Sequence, residues 1–242
     1  MDPREASYVR STAEDLSLVA EQTQGADLLL LTTTRAFSPE PEKVVAAARA
    51  LHPLGNLVIT GHFLRLAGYA RALSRAGFAS YDAVLPLVTV PSPPLLERKV
   101  VPNHLPVLVA FRDPGHIERP EGLPGGTLLL SGPDLPPEAD DVPVLLLKAG
   151  FVPHLELENR SLAALIERYS EPGGLVVVAG VEAPRAALLA LLLGRRALAV
   201  LEAPEQVPAY RMAVHLLQDL PPLEREPEQK EADSRALRTK RR

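Results

Sequence analysis

Apolar runs of strand length alternate along the chain with segments whose apolar residues recur at helical spacing. The first run, Ala26 to Thr32, is apolar over nearly its whole length, as is typical of a parallel strand buried on both faces. The run "NLVITG", which starts at Asn56, has the same character. Because strands and helices alternate, the pattern predicts an α/β fold with a doubly wound, mainly parallel, Rossmann-like sheet of seven strands.

Several segments carry the spacing and end signals of helices. A proline after Ser38 and glutamates in the first turn favour a helix start there, and Gly77 is a natural end for the next helix. A further Ala/Leu helix lies within the stretch from Gly173 to Gln206. The other helices are predicted from Ser38 to Leu51, from Phe63 to Ala76, from Arg160 to Tyr169 and from Glu205 to Leu217.

Two apolar runs follow one another without a helix between them. They begin at Tyr81 ("YDAVLPLVTV") and at His104 ("HLPVLVAF"), and this succession favours an antiparallel pair near one edge of the sheet. The strand from Leu28 is expected beside the strand from Leu175, because the functional loops of doubly wound sheets meet where the strand order reverses.

The chain divides into one domain and a tail. Residues 1–220 are predicted to form the domain, and residues 112–153 within it are rich in proline and glycine and read as an irregular insertion with two short apolar runs. The segment 221–242 is charged and poor in apolar residues, a composition that predicts disorder.

Composition removes several classes of function. The 242 residues include no cysteine, which excludes a disulfide framework, a thiolate nucleophile and a zinc site built on cysteine. The net charge of −4 gives no overall field that attracts nucleic acid. No apolar run reaches the roughly 18 residues of a membrane span, and no signal peptide is evident at the start, so a cytoplasmic protein is expected. Arginine and proline are frequent and methionine is rare, as in heat-adapted sources.

The stretch from Gly173 to Gln206 has the build of a ligand-binding βαβ unit. An apolar strand from Leu175 leads through a turn into the Ala/Leu helix, and a second apolar run starts at Ala197. Such units carry a glycine-rich turn after the first strand, where a ligand approaches the backbone. Here the turn reads "AGVEAP", with Glu182 and Pro184 in it.

The amino-acid sequence around this unit resembles that of the N4-cytosine/N6-adenine DNA methyltransferases. Members of that family typically read "S.PGD.VLDPF.GSGTT…LGR…IGIE.DPE", and this chain reads "SEPGGLVVVAGVEAPRA…LGRRALAVLEAPEQ". More narrowly, the order of blocks is similar to the permuted class, whose catalytic block precedes its S-adenosylmethionine (AdoMet) block. The resemblance covers roughly Tyr8 to Leu217 and implies a methyltransferase fold with AdoMet as cofactor.

The chain departs from the family pattern at the positions that serve the cofactor. The AdoMet loop corresponds to Val178 through Ala186, with Gly180 retained but Glu182 and Pro184 standing where the family has glycines. A glutamate adds bulk and negative charge, and a proline fixes φ and removes an N–H. The acid that binds the ribose aligns with Leu201, next to Glu202, and the Gly-Asp near the family's start aligns with Arg10-Ser11.

The catalytic block is also altered. The family has DPPY or SPPY after a strand, where it holds and stacks the flipped base, whereas this chain has Thr32, Thr33, Thr34 and Arg35. Thr32 can imitate the serine of SPPY, but no residue replaces the prolines or the aromatic ring. Joint loss of these features predicts a methyltransferase-like pseudoenzyme that uses no AdoMet.

Three hypotheses for the function follow. The first is an inactive methyltransferase-like protein that binds nucleic acid or a partner, either an active methyltransferase or a second copy of itself. The second is a divergent, active AdoMet-dependent methyltransferase acting on adenine N6 or cytosine N4 of DNA. The third is a protein–protein adaptor with no role in nucleic-acid binding, which the net negative charge favours.

Candidate contacts to nucleic acid are few. The sequence from Thr32 to Arg35 combines three hydroxyls with a guanidinium and suits an anion, but an ordinary turn with a solvated arginine is the favoured interpretation. His62 follows the neighbouring strand. The full candidate set for phosphate contacts is Arg35, His62, Arg65, Arg71 and Arg112, with solvated helix surface as the alternative. No metal-binding spacing, GxSxG sequence or phosphate-binding P-loop occurs.

Overall fold

A computed structural model describes most of the domain expected from the sequence. The described residues are 7–10, 25–34, 37–61, 63–86, 104–112, 128–129, 135–152, 157–201, 203 and 205–219. Arg35, His62, Ser11, Glu202 and the tail 221–242 lie outside them. No helix of this described part is long and apolar enough to cross a membrane.

The described residues form one mixed sheet and six α-helices. The strands are β1 (Ser7–Arg10), β2 (Leu28–Thr32), β3 (Asn56–Thr60), β4 (Ala79–Pro86), β5 (His104–Phe111), β6 (Leu128–Leu129), β7 (Leu175–Gly180) and β8 (Arg196–Leu201). The helices are α1 (Pro41–Ala50), α2 (Phe63–Arg75), α3 (Val142–Lys148), α4 (Asn159–Tyr169), α5 (Ala183–Leu192) and α6 (Gln206–Gln218).

The sheet confirms two predictions about strand order. Its order is β1-β8-β7-β2-β3-β5-β4-β6, so the strand from Leu28 does lie beside the strand from Leu175. The runs predicted as an antiparallel pair are adjacent as β4 and β5. Strand β5 is antiparallel to both of its neighbours, and the other pairings are parallel.

The predicted count of seven strands was wrong, since the described residues alone contain eight. The sequence of β1 is "SYVR", four residues without an apolar run, and it pairs through its backbone with β8. Strand β6 has only two residues and lies in the proline- and glycine-rich segment. Strands this short at the edges of a sheet are specified by pairing with a longer neighbour and leave little pattern in the sequence.

Part of the 112–153 segment, expected to be irregular, is helical. Helix α3 carries the run "VPVLLLK", whose apolar residues fit a strand or a buried helix equally well. Pro143 decides between the two, because a proline in the first helical turn needs no N–H partner. Val142, Leu145 and Leu146 then pack into the core.

Two apolar layers enclose the sheet and explain the continuous apolar runs. Leu28 and Leu30 of β2 face one layer, together with residues of α3, α4, α5 and α6. Leu29 and Leu31 face the other layer, against α1 and α2. All four leucines are completely buried, and burial of each side chain contributes roughly 1.5–3 kcal/mol. Helices therefore cover both faces, as a doubly wound fold requires.

Candidate functional site

The carboxyl ends of β2, β3 and β7 meet at one edge of the sheet. Thr32, the last residue of β2, is in register with Thr60 of β3 and with Gly180 of β7. Leu201 ends β8 on the same side. We call this border the carboxyl edge. It is where ligands of doubly wound sheets bind, and it brings the segment that aligns with the family's catalytic block beside the turn that aligns with the family's AdoMet loop.

The hydroxyl of Thr32 joins these two blocks. It donates a hydrogen bond to the carbonyl of Ala179 (3.3 Å) and accepts one from the N–H of Glu182 (3.2 Å). The side chain is only 2 % exposed. Thr32 therefore occupies the place that the resemblance gives to a catalytic serine, but its hydroxyl holds the turn after β7.

The other two threonines also bond to backbone. Thr33 donates from its hydroxyl to the carbonyl of Thr60 (2.8 Å). The Thr34 hydroxyl accepts from the N–H of Phe37 (3.0 Å), and the guanidinium of Arg65 donates to the Thr34 carbonyl. The three hydroxyls that suited an anion site in the sequence thus each have a partner in the backbone.

Two glycines of the carboxyl edge are required by close packing. Gly180 has φ +105°, and a Cβ placed there would lie 2.2 Å from the carbonyl oxygen of Thr32. At Gly61, with φ +154°, a Cβ would lie 2.0 Å from the hydroxyl oxygen of Thr33. No side chain fits at either distance, so contact with the threonines is sufficient to explain both glycines.

A buried ion pair fills the turn between β7 and α5. The Nε and one terminal nitrogen of Arg185 lie 2.9 and 2.8 Å from Oε2 of Glu182. The two side chains are 3 % and 2 % exposed. Arg185 also donates to Oδ1 of Asn159 (3.2 Å) and to the carbonyl of Leu157. The pair consequently ties the turn after β7 to the start of α4.

Burial and charge act in opposite directions on Arg185. Loss of hydration lowers the pKa of its guanidinium, and the neighbouring carboxylate of Glu182 raises that pKa again. Such a group is stable in the interior only while its partner stays charged. Glu182 is therefore part of the buried interior of this turn.

Pro184 and Leu201 complete the altered AdoMet region. Pro184 lies in the first turn of α5, where it contributes no N–H. Leu201 is an apolar side chain, 2 % exposed, at the position that the resemblance gives to the ribose-binding acid. Arg10, one of the residues at the Gly-Asp position, pairs through its backbone with Leu201. Val178 is buried within β7.

The described candidates for phosphate contact, Arg65, Arg71 and Arg112, are spread from one end of the strands to the other. Arg65 lies at the start of α2, at the carboxyl edge, and Arg71 is exposed in the middle of that helix. Arg112 follows β5 and lies at the opposite edge, because β5 runs antiparallel and Phe111 pairs with Asn56 at the start of β3. Strand direction sets which edge a residue reaches, and the list of candidates in the sequence did not include that information.

Residues that hold the site together were missed in the sequence. The spacing of Glu182 and Arg185, three residues apart at a helix start, was the available signal for an ion pair. Asn159, which connects Arg185 to the carbonyl of Ala139, gave no signal at all. Within the described part of the chain, no group of His, Asp or Glu side chains is arranged to hold a metal ion.

The structure is similar to solved structures of DNA methyltransferases. M1.HpyAVI in complex with SAM matches with a TM-score of 0.56 and 17 % identity over 89 % of this chain and 100 % of that chain. The cytosine-N4-specific PvuII DNA methyltransferase matches with a TM-score of 0.53 and 17 % identity over 88 % of this chain and 92 % of that one.

A third similar structure is TTHA0409 from Thermus thermophilus, complexed with S-adenosyl-L-methionine. Its TM-score is 0.55, with 15 % identity over 88 % of this chain and 94 % of that chain. No protein-family model and no curated protein matches the sequence. The similarities show that this chain has the Rossmann-like methyltransferase fold, as the sequence predicted.

Proposed function

We propose that this protein is a catalytically inactive, methyltransferase-like binding module. The observation that carries the proposal is the buried pair of Glu182 and Arg185 in the turn after β7. It occupies the turn where the resemblance places the glycines that let AdoMet lie against the backbone. A carboxylate and a guanidinium that pair with one another fill this turn with buried side chains, where a ligand site of this kind needs open backbone.

The rest of the cofactor region supports the same conclusion. The N–H of Glu182 is already bonded to Thr32, and Pro184 has no N–H to offer. Leu201 supplies no acceptor for a ribose hydroxyl. These residues do not fit AdoMet in the way that the resemblance implies for the family.

The segment that aligns with the family's catalytic block lacks the side chains that would hold a base. A base held for methyl transfer needs a polar group at its amine and an aromatic ring against its face, according to the family resemblance. Thr32 is the remaining polar candidate, and its hydroxyl is bonded to the turn after β7. We therefore assign the fold a binding role, for nucleic acid or for a protein partner such as an active methyltransferase or a second copy.

A divergent, active methyltransferase is the second candidate. Two of the similar structures are complexes with the methyl donor, and this chain keeps Gly180 with its positive φ at the strand end. On this reading the donor lies against a rebuilt turn. A protein–protein adaptor that binds no nucleic acid is the third candidate.

Thermal unfolding with and without AdoMet tests the proposal. A ligand at one hundred times its Kd stabilises the native state by about 2.7 kcal/mol, and each kcal/mol moves the Tm of a domain this size by roughly 2–4 °C. We expect no measurable shift in millimolar AdoMet and no methyl transfer to duplex DNA. A shift of several degrees would establish the second candidate.

A matched variant sharpens this experiment. Glu182→Gly combined with Pro184→Gly restores the family's glycines but leaves Leu201 and the threonines unchanged, and we expect it to bind no AdoMet. Parallel binding measurements with duplex DNA and with a copy of the protein carrying an affinity tag separate the nucleic-acid version from self-association.

A further inference from the structure

An open pocket lies at the edge of the sheet opposite to the carboxyl edge. We call this border the amino edge, since β2, β3 and β7 begin there. The pocket has a volume of about 490 Å³, within the range of small-molecule sites. It is lined by Arg49, Ala76, Gly77, Phe78 and Arg112. The five residues of β3, at about 3.3 Å each, put it roughly 15 Å from the carboxyl edge.

The guanidinium of Arg112 is fixed on the wall of this pocket. Its terminal nitrogen donates to the carbonyls of Ala48 and Arg49 at the end of α1. Its central carbon lies 5.7 Å from the centre of the Phe78 ring, at a distance typical of cation–π contact. These contacts use one terminal nitrogen and orient the planar group before any ligand arrives.

Arg49 supplies a second cation. It lies in the last turn of α1, and its side chain is exposed to solvent and lines the pocket. None of the described residues that line the pocket carries a carboxylate, so the two guanidiniums give it a formal charge of about +2.

The carbonyl groups at the C-terminal ends of α1 and α2 oppose this positive charge, but hydrogen bonds already satisfy some of them. Helices α1 and α2 both end at the pocket, and C-terminal carbonyls carry partial negative charge. Arg112 bonds the last carbonyls of α1. At the end of α2, the N–H of Phe78 bonds the carbonyl of Leu73 (3.0 Å) and the N–H of Gly77 bonds that of Ser74 (3.1 Å). The field that remains is dominated by the guanidiniums.

We propose that this pocket binds a phosphate group, carried by a nucleotide or by a nucleic-acid strand. Two guanidiniums, one of them held in place, match the planar, bidentate recognition that phosphate oxygens favour. The Arg112 guanidinium lies over the Phe78 ring, and bases stack on arginine and aromatic side chains of this kind. The inference is independent of the proposed function, because the pocket is remote from the AdoMet region.

Titrations of the full chain test the proposal. Inorganic phosphate, adenosine 5′-monophosphate and a short single-stranded DNA are added at constant ionic strength, and heat or amide chemical shifts are followed. We expect binding in the millimolar range or tighter, and a loss of about tenfold or more in Arg49→Gln. Arg112→Lys should also weaken binding, because an ammonium cannot replace the planar fork.

Arg168→Gln is the matched control. Arg168 is exposed near the end of α4, so the variant makes the same charge change at the amino edge, on the other face of the sheet. Its affinity should be unchanged, and the Tm of each variant confirms that it is folded. Binding of phosphate or the mononucleotide identifies a phosphomonoester ligand, and binding of DNA alone identifies a phosphodiester backbone. The proposal fails if none of the three binds, or if Arg49→Gln binds as tightly as Arg168→Gln.

Discussion

At the scale of single residues, the turn after β7 is filled by its own charged side chains. Arg185 bonds Glu182, Asn159 and the carbonyl of Leu157. These contacts connect α5, the turn between β7 and α5, and the start of α4. A charged pair buried in this way costs desolvation energy, which is recovered only if both partners remain and their hydrogen bonds are made.

Removal of one partner should therefore destabilise the fold strongly. Arg185→Leu leaves the Glu182 carboxylate buried without its guanidinium, and we expect a loss of about 3–5 kcal/mol in the free energy of unfolding. The double change Glu182→Leu with Arg185→Leu removes both charges and should cost less than the single change. Urea unfolding measures both values.

Arg168→Leu serves as the control for this pair, since an exposed arginine contributes within about 0.5 kcal/mol. If Arg185→Leu were as stable as that control, the pair would have no structural role.

The hydrogen-bond partners of single residues were the hardest feature to predict from the sequence. Three consecutive threonines, Thr32 to Thr34, are equally compatible with a phosphate site and with hydrogen bonds to the backbone. Three-dimensional neighbours decide between them: the Ala179 carbonyl, the Thr60 carbonyl and the Phe37 amide. Two of these partners are 147 and 27 residues away along the chain. Local sequence cannot supply that information.

At the scale of elements, β2 and β7 are joined by more than their ladder. Gly180 has its Cα against the Thr32 carbonyl, and Thr32 bonds both the end of β7 and the turn after it. The two strand ends are consequently fixed together at the carboxyl edge, where the two altered blocks meet.

Gly180→Ala should be poorly tolerated for this reason. A Cβ there would lie 2.2 Å from the Thr32 carbonyl oxygen, and alanine would have to adopt a φ of +105°. We therefore expect a loss of about 3 kcal/mol or more in the free energy of unfolding. Gly173→Ala is the matched control: its φ is +78°, but a Cβ there has no neighbour within 4 Å. That variant should lose only the cost of placing a residue with a Cβ in the left-handed backbone conformation, about 1–2 kcal/mol in the free energy of unfolding. Equal losses in thermal unfolding would contradict the close contact.

Elements were predictable where a long apolar run or a helical period imposed them. The leucines of β2 and the valines of β7 are buried on both faces of the sheet, which gives each strand a continuous apolar run. Strand β1 has no such run, and β6 has two residues, so their pairing partners decide their structure. Helix α3 was missed because seven residues do not show a helical period clearly.

At the scale of the whole molecule, the two edges of the sheet have different chemistry. The carboxyl edge is closed by an internal ion pair and by hydroxyls bonded to backbone. The amino edge carries the open pocket of Arg49 and Arg112. Because Arg65 and Arg112 lie at opposite edges, a nucleic acid that bound both would have to pass along the face covered by α2, where Arg71 is exposed.

The net charge of −4 sets the character of any binding to nucleic acid. Without an overall attractive field, affinity must come from local contacts of arginines with phosphates, each of which releases counterions. We expect weak binding to duplex DNA with little sequence preference, and an affinity that falls steeply with salt.

Arg71→Gln should weaken binding equally for all sequences and reduce the slope of log K against log salt by about 1, whereas Arg168→Gln should leave the slope unchanged. Fluorescence anisotropy over a salt series measures both. Binding that salt does not weaken, or that prefers one short site, would contradict this expectation, and no binding at low salt would leave the protein-partner version of the proposed function.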